Sequence, residues 1–232
     1  MTMTADEVHA ELEAMGTAQN RKIYARHGVG GEMYGVSFAN LGKLQEKIRT
    51  DQALAEELWA SGNHDARVLA TMVADSARMK SGQIDAWARD LDSYVLTDAF
   101  VKLVARTPFA RRKSEKWQRS RGEWIGQAGW GLLSYLAGDG EDLPDGYFEE
   151  RLATIEEEIH GRKNRVRHAM NGALISIGGR NERLRARAVA AAGRIGKVEV
   201  DHGETSCKTP EAVGYIEKMW VRKQRRAAQK KG

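Results

Sequence analysis

Apolar residues recur along this chain at the three-to-four spacing of an α-helix almost from end to end. Phe38, Leu41, Leu44 and Ile48 form one such series. Val95, Leu96, Ala99, Phe100, Leu103 and Val104 form a stripe two residues wide. Ile125, Gly129, Leu132 and Leu136 form a third, and Val166, Met170, Ala173 and Ile177 a fourth. No stretch sustains the strict alternation of a half-buried strand. Breaks fall near Gly16, Gly28–Gly31, Gly62, Ser81–Gly82, Arg106–Pro108, Gly138–Pro144, Gly161, Gly178–Gly179 and Gly196, which predicts ten or eleven helices of roughly 10–17 residues. Three prolines, at 108, 144 and 210, are too few for the turns of an all-β chain. The expected class is all-α.

The pattern also repeats. AGWGLLSYLAG at 128–138 lines up with AMNGALISIGG at 169–179, 41 residues later, and RAVAAAGRIGK at 187–197 echoes the second. Each closing glycine suits a left-handed helix end, where a Cβ costs energy. A period near 40 with two helices per unit is that of a HEAT-like helical-repeat solenoid. The expectation is therefore one HEAT-like α-solenoid domain over residues 1–217, with a concave basic face able to wrap a rod-like partner. Residues 218–232 are expected to form a basic, flexible C-terminal tail adding non-specific attraction.

Charge turns this scaffold toward a polyanion. The 232-residue chain has a net charge of +5, but residues 1–100 carry 10 Lys/Arg against 15 Asp/Glu and residues 101–232 carry 27 against 17. Lys102–Arg121 holds eight basic residues and one acidic, Arg162–Lys197 ten and one, and RKQRRAAQKK at 222–231 six basic residues. Phosphate is the natural partner, double-stranded DNA its natural form, and solvated helix surface the plain alternative. The single cysteine, Cys207, excludes a disulfide framework and a Cys-only zinc site. The longest near-apolar stretch, Ala128–Gly138, is too short for a bilayer, and the acidic, amphipathic N-terminus is unlike a signal peptide. A soluble cytoplasmic monomer is expected, with no membrane, metal or cofactor. Asp201–Cys207 brings one His, one Cys and two carboxylates together, which is no zinc signature; it reads as a C-terminal cap, followed by a helix that Thr209 caps before Pro210. Asn63 or Asp65 reads as a helix N-cap, and GVGGEMYG at 28–35 as a flexible loop. No phosphate loop or dinucleotide fingerprint occurs.

Opposite the apolar stripes lie the candidate functional residues. Tyr94, Asp98 and Lys102 share the far side of one helix at i, i+4 and i+8. Gln127, Trp130, Gly131 and Ser134 oppose the stripe of a second helix, and His168, Asn171, Gly172 and Ile175 that of a third. The plain reading of Asp98–Lys102 is an i,i+4 ion pair worth a few tenths of a kcal/mol.

The segments GVSFANLGKLQEKI, ELWASGNHDARVLATMVAD, DAWARDLDSYVLTDAFVKLVART, EWIGQAGWGLLSYLA, RVRHAMNGALISIGGRN and EVDHGETSCKTPEAVGYI resemble the bacterial DNA alkylation repair proteins over about residues 30–217. These are HEAT-like DNA glycosylases that excise N3- and N7-alkylated purines without extruding the base. The resemblance implies a catalytic carboxylate at Asp98, where the family has Trp-Asp-x-x-Asp and this chain has Tyr94-Val95-Leu96-Thr97-Asp98. The family arginine, in a Trp-x-Arg-Arg pattern, falls at Trp124-Ile125-Gly126-Gln127, where the arginine is absent. A second family tryptophan, in Gly-Trp-Ala-Leu, falls at Asn171-Gly172-Ala173-Leu174 and is also absent. The implied site is thus Asp98 as catalyst, with Tyr94, Lys102, Trp124, Gln127, Arg165, Arg167, His168 and Asn171 on nucleic acid. An alkylated purine is a good leaving group, so one ionised carboxylate near C1′ would suffice to stabilise an oxocarbenium-like sugar and orient water, and an aromatic face such as Tyr94 could hold the cationic base. Three functions are in contention: a glycosylase acting on alkylated duplex, a non-catalytic binder of damaged or branched DNA, and a protein-binding solenoid scaffold.

Overall fold

A computed structural model describes residues 3–138 and 143–229. Thirteen α-helices and one 3-10 turn are present among the described residues, and no strand. The chain divides into two compact units, one holding the residues up to Ala110 together with His202–Ser206, the other Arg111–Asp201 with the residues from Cys207 onward.

The first unit contains α1 (Ala5–Met15), α2 (Ala18–Arg26), α3 (Phe38–Ile48), α4 (Gln52–Ala60), α5 (His64–Val73), α6 (Ser81–Arg89) and α7 (Tyr94–Val104). Short polar side chains start most of them. Thr4 and Glu7 form a capping box, and Thr17, Ser37, Asp51, Asn63 and Ser93 each accept a bond from a first-turn N–H. Boundaries at 49–51 and 90–93 carry no glycine or proline signal, whereas the break expected near Ser81–Gly82 falls just before α6 and that at Arg106–Pro108 follows α7. At the centre is α5, packed by α1, α3, α4 and α7, with His64 and Asp65 buried along with its apolar residues. Trp59 stacks on Trp87 at 4.2 Å between ring centroids, and its indole N–H donates to Asp90 at 2.8 Å.

The glycine-rich segment expected to be flexible is fastened to this core. The buried Asp65 carboxylate accepts the N–H groups of Tyr34 (2.7 Å), Gly35 (2.9 Å) and Val36 (2.9 Å). The Tyr24 hydroxyl donates to the Val36 carbonyl, and burial, reinforced by the Asp65 charge, pushes the phenol up to about 12. At Gly35 φ is +81°, and a Cβ would sit 2.7 Å from the Thr17 carbonyl, so only glycine fits.

The second unit contains most of α8 (Ala110–Gln118), then α9 (Glu123–Gly138), α10 (Asp145–Glu158), a 3-10 turn at Ile159–Gly161, α11 (Asn164–Gly178), α12 (Glu182–Ile195) and α13 (Ala212–Gln229). Its centre is α11, which packs on α9, α10, α12 and α13. The sequence repeat reappears as a register of bonds. Arg165 N–H donates to Glu123 across 42 residues, Arg162 to the Gln118 and Ser120 carbonyls across 44 and 42, Arg180 to those of Leu136 and Ala137 across 44 and 43, and Trp220 and Lys223 to those of Gly178 and Gly179 across 42 and 44. The carbonyls ending one repeat's helix are thus met by donors from the next repeat. The segment expected as a tail from 218 continues α13 as far as Gln229; residues 230–232 lie outside the described residues. Glu211 supplies bonds to the first turn of α13, accepting from Val213 at 2.9 Å and Gly214 at 2.7 Å.

Candidate nucleic-acid interface

In the first unit the candidate residues lie along α7. Its inner face, Leu96, Ala99, Phe100, Leu103 and Val104, is buried, while Asp98 and Lys102 are exposed and Tyr94 half-buried. The Ser93 cap and the Thr97 hydroxyl bonded to the Ser93 carbonyl fix the first turn, and with it the start of the Tyr94–Asp98–Lys102 line. The Tyr94 hydroxyl hydrogen-bonds His27 Nδ1 at the C-terminal end of α2, with the rings tilted by 60°. His27 had no signal in the sequence, because the two residues meet across 67 positions. This bond fixes the ring plane of Tyr94 and occupies its polar end.

In the second unit the candidates sit on α9 and α11, which approach closely because Gly126 leaves no side chain between them; a Cβ there would lie 2.9 Å from Val166. Trp124, Arg165, Arg167 and His168 are half-buried. Gln127 and Asn171 are interior, at 5% and 2% exposure, and the Asn171 amide donates to the Pro210 carbonyl at 3.0 Å. At Gly172 a Cβ would meet only the Ser134 hydroxyl, at 4.0 Å, so that position opens onto free space.

The basic cluster at 162–197 is largely committed to the fold. Arg183 pairs with Glu149 at 2.9 Å, Arg187 lies 3.9 Å from the same carboxylate, Arg194 pairs with Glu156, Arg185 with Glu217 and Lys197 with Glu199. Arg162 pairs with Glu158 at 2.8 Å as well as meeting two carbonyls, and Arg180 stacks over Phe148 at 4.3 Å. Six of the ten basic residues of that cluster therefore tie elements of the fold together, and Lys197 makes a local pair in the stretch after α12. Lys163, Arg165 and Arg167 gather at the N-terminal end of α11, where the dipole adds to their attraction for anions. Arg111, Arg112, Lys116, Arg119 and Arg121 are exposed around α8. No group of three or more His, Cys, Asp or Glu side chains among the described residues could hold a metal ion, and no described helix is long and apolar enough to cross a membrane.

Comparison with known proteins places these features. Residues 8–216 match the DNA alkylation repair enzyme family. An uncharacterized protein of Listeria innocua is 31% identical over 93% of this chain and 97% of its own, and one of Listeria monocytogenes is 30% identical with the same coverage. A solved structure with 30% identity and a TM-score of 0.87, covering 95% of both chains, represents a family of proteins related to the HEAT-like repeat DNA glycosylases with affinity for branched DNA structures. The all-helical chain thus has a HEAT-like repeat protein as structural neighbour.

Proposed function

The chain belongs to the DNA alkylation repair enzyme family, and from that premise we propose that it binds branched DNA without excising bases. The observation that carries this reading is the state of the matched site. The family arginine position holds Gln127, an uncharged amide of 5% exposure, which cannot neutralise a phosphate. The second tryptophan position holds Gly172, beside which lies open space rather than an aromatic wall. The affinity for branched DNA of the structurally similar family points to the ligand, and the unequal charge of the two halves supports a polyanion. Affinity for a four-way junction above that for linear duplex, falling steeply with salt, is the expected result of a binding titration. Equal, salt-insensitive affinity for both would sink the reading.

One observation favours a second reading, excision of N3- or N7-alkylated purines: Asp98 is retained and exposed on α7. There it would stabilise developing positive charge on the sugar and orient the attacking water, while Tyr94 holds the base. Release of N7-methylguanine from duplex by the wild type and not by Asp98→Asn would establish it; no release by either leaves binding alone.

A further inference from the structure

We propose that the outer face of α13 is a second phosphate-backbone site, holding a duplex arm other than the one bound at the N-terminal end of α11; this rests on the DNA-binding reading above. The helix is anchored as a rigid element. Ile216 is fully buried, its side chain 2.8 Å from where a Cβ on Gly178 would lie. The Trp220 indole donates to Gly178 at 2.7 Å, the Lys223 ammonium to Gly179 at 2.9 Å, and Glu217 pairs with Arg185. Those contacts use one side of the helix. At about 100° per residue, Lys218, Arg222 and Arg225 fall within about 60° of arc on the opposite side, flanked by Arg226 and by Tyr215, which is 47% exposed. No carboxylate shares this arc, since Glu217 is turned to Arg185 and Glu211 to the first-turn amides. Lys218, Arg222 and Arg225 span about 10 Å of helix axis, the length over which one DNA strand presents about three phosphates. An exposed tyrosine beside them offers a face to sugar or base.

The contrast with α12 is what singles out this ridge. Four arginines of α12 are paired with glutamates of α10 and α13, whereas Lys218, Arg222, Arg225 and Arg226 are exposed and have no carboxylate on their own face. Its position separates it from the other basic end. Arg165 and Arg167 lie in the first turn of α11, and Gly178, where Trp220 binds, is its last residue, about 20 Å away by helix rise. Two phosphate sites at opposite ends of one helix suit a ligand with two arms. A membrane surface fits less well, because the apolar side of α13 is already buried against the protein and little remains to insert into lipid.

The test uses the full chain with Lys218→Gln, Arg222→Gln and Arg225→Gln combined, all exposed positions, and a charge-keeping control with Lys218→Arg, Arg222→Lys and Arg225→Lys. Affinities for a four-way junction and for a linear duplex are titrated across salt, alongside binding to anionic phospholipid vesicles. Expected are a loss of about tenfold or more for the junction, a salt slope smaller by about 2–3, a change under about threefold for linear duplex, and retention by the control. Unchanged junction affinity and slope would overturn the ridge while leaving DNA binding in place, and equal losses on both DNAs would overturn the two-arm assignment. A wild type that binds neither DNA would overturn the functional reading and the ridge together. Vesicle binding without DNA binding would assign the face to lipid instead.

Discussion

In the N-terminal unit, a buried carboxylate, Asp65, collects three main-chain amides of the irregular stretch 34–36, and the carbonyls that arginines take are scattered: Arg21 meets that of Tyr34, Arg67 those of Trp59 and Asp90, and Arg106 that of Thr71. In the C-terminal unit Glu123 and Glu211 hold first-turn amides, but the groups met from one repeat to the next are mostly carbonyls at the ends of helices and in the turn after α8. Long cations collect those: Arg162 takes two, Arg180 two, and Lys223 two more. Unpaired N–H groups call for an anion and unpaired C=O groups for a cation. The charge asymmetry between the two halves of the sequence is therefore partly architectural, and a count of basic residues overstates the charge available to DNA.

Removing the anchors should show the difference most sharply. Asp65→Ala leaves three amides without their acceptor in a buried setting and should destabilise the protein by about 4 kcal/mol, read as a lower midpoint in urea. A loss under about 1 kcal/mol would mean that water replaces the carboxylate. Arg162→Ala, at a more accessible site with carbonyls that tolerate solvent better, should cost about 2 kcal/mol in the same measurement. Were it the costlier of the two, the cationic anchors would be the tighter device. Glu149→Gln should raise DNA affinity about two- to threefold and steepen its salt dependence, because it releases Arg183 and Arg187 while changing stability by under about 1 kcal/mol. Unaltered affinity would place that face of α12 away from DNA.

The smallest effect is expected on acidification, and it should reach the two units in order. Burial holds the His64 imidazole below its usual value, so the stability of the neutral ring is whole above about pH 6.5 and is lost as pH falls below it. In the C-terminal unit, the hydrogen bond from Arg194 and its charge hold the Glu156 carboxyl below the ordinary 4.5, so that pair persists until the pH drops through the lower value. Hydrogen exchange followed from pH 7 to 4 should show α5 amides loosening before those of α10 and α12. The reverse order would show that His64 does not limit the N-terminal unit.

The repeat, the helical class and most breaks are legible in the sequence, because glycine and short polar caps act locally. Boundaries such as Arg49–Asp51 are not, since Arg49 adopts a left-handed φ of 66° that no residue type announces. On α7 the one-stripe reading works because the helix has a single buried face. On α9 and α11 it fails. α11 is packed by α9, α10, α12 and α13, and α9 by α11 and, at Gly129, by Trp117 and Gln118 of α8, so Gln127, Trp130, Asn171 and Ile175, all assigned to the face away from the core, are buried. Pairings such as His27–Tyr94 and Arg194–Glu156 join residues 67 and 38 apart and leave no local trace.

Handing the terminal carbonyls of α8, α9 and α11 to a donor one repeat further on gives this part of the C-terminal unit a direction. Taking away α13 would uncover the end of α11, whereas shortening α9 would strip nothing from α13. Fraying should accordingly travel from the C-terminus inward, one repeat at a time, and an inserted or deleted repeat is tolerated only if it brings its own cation for the helix before it.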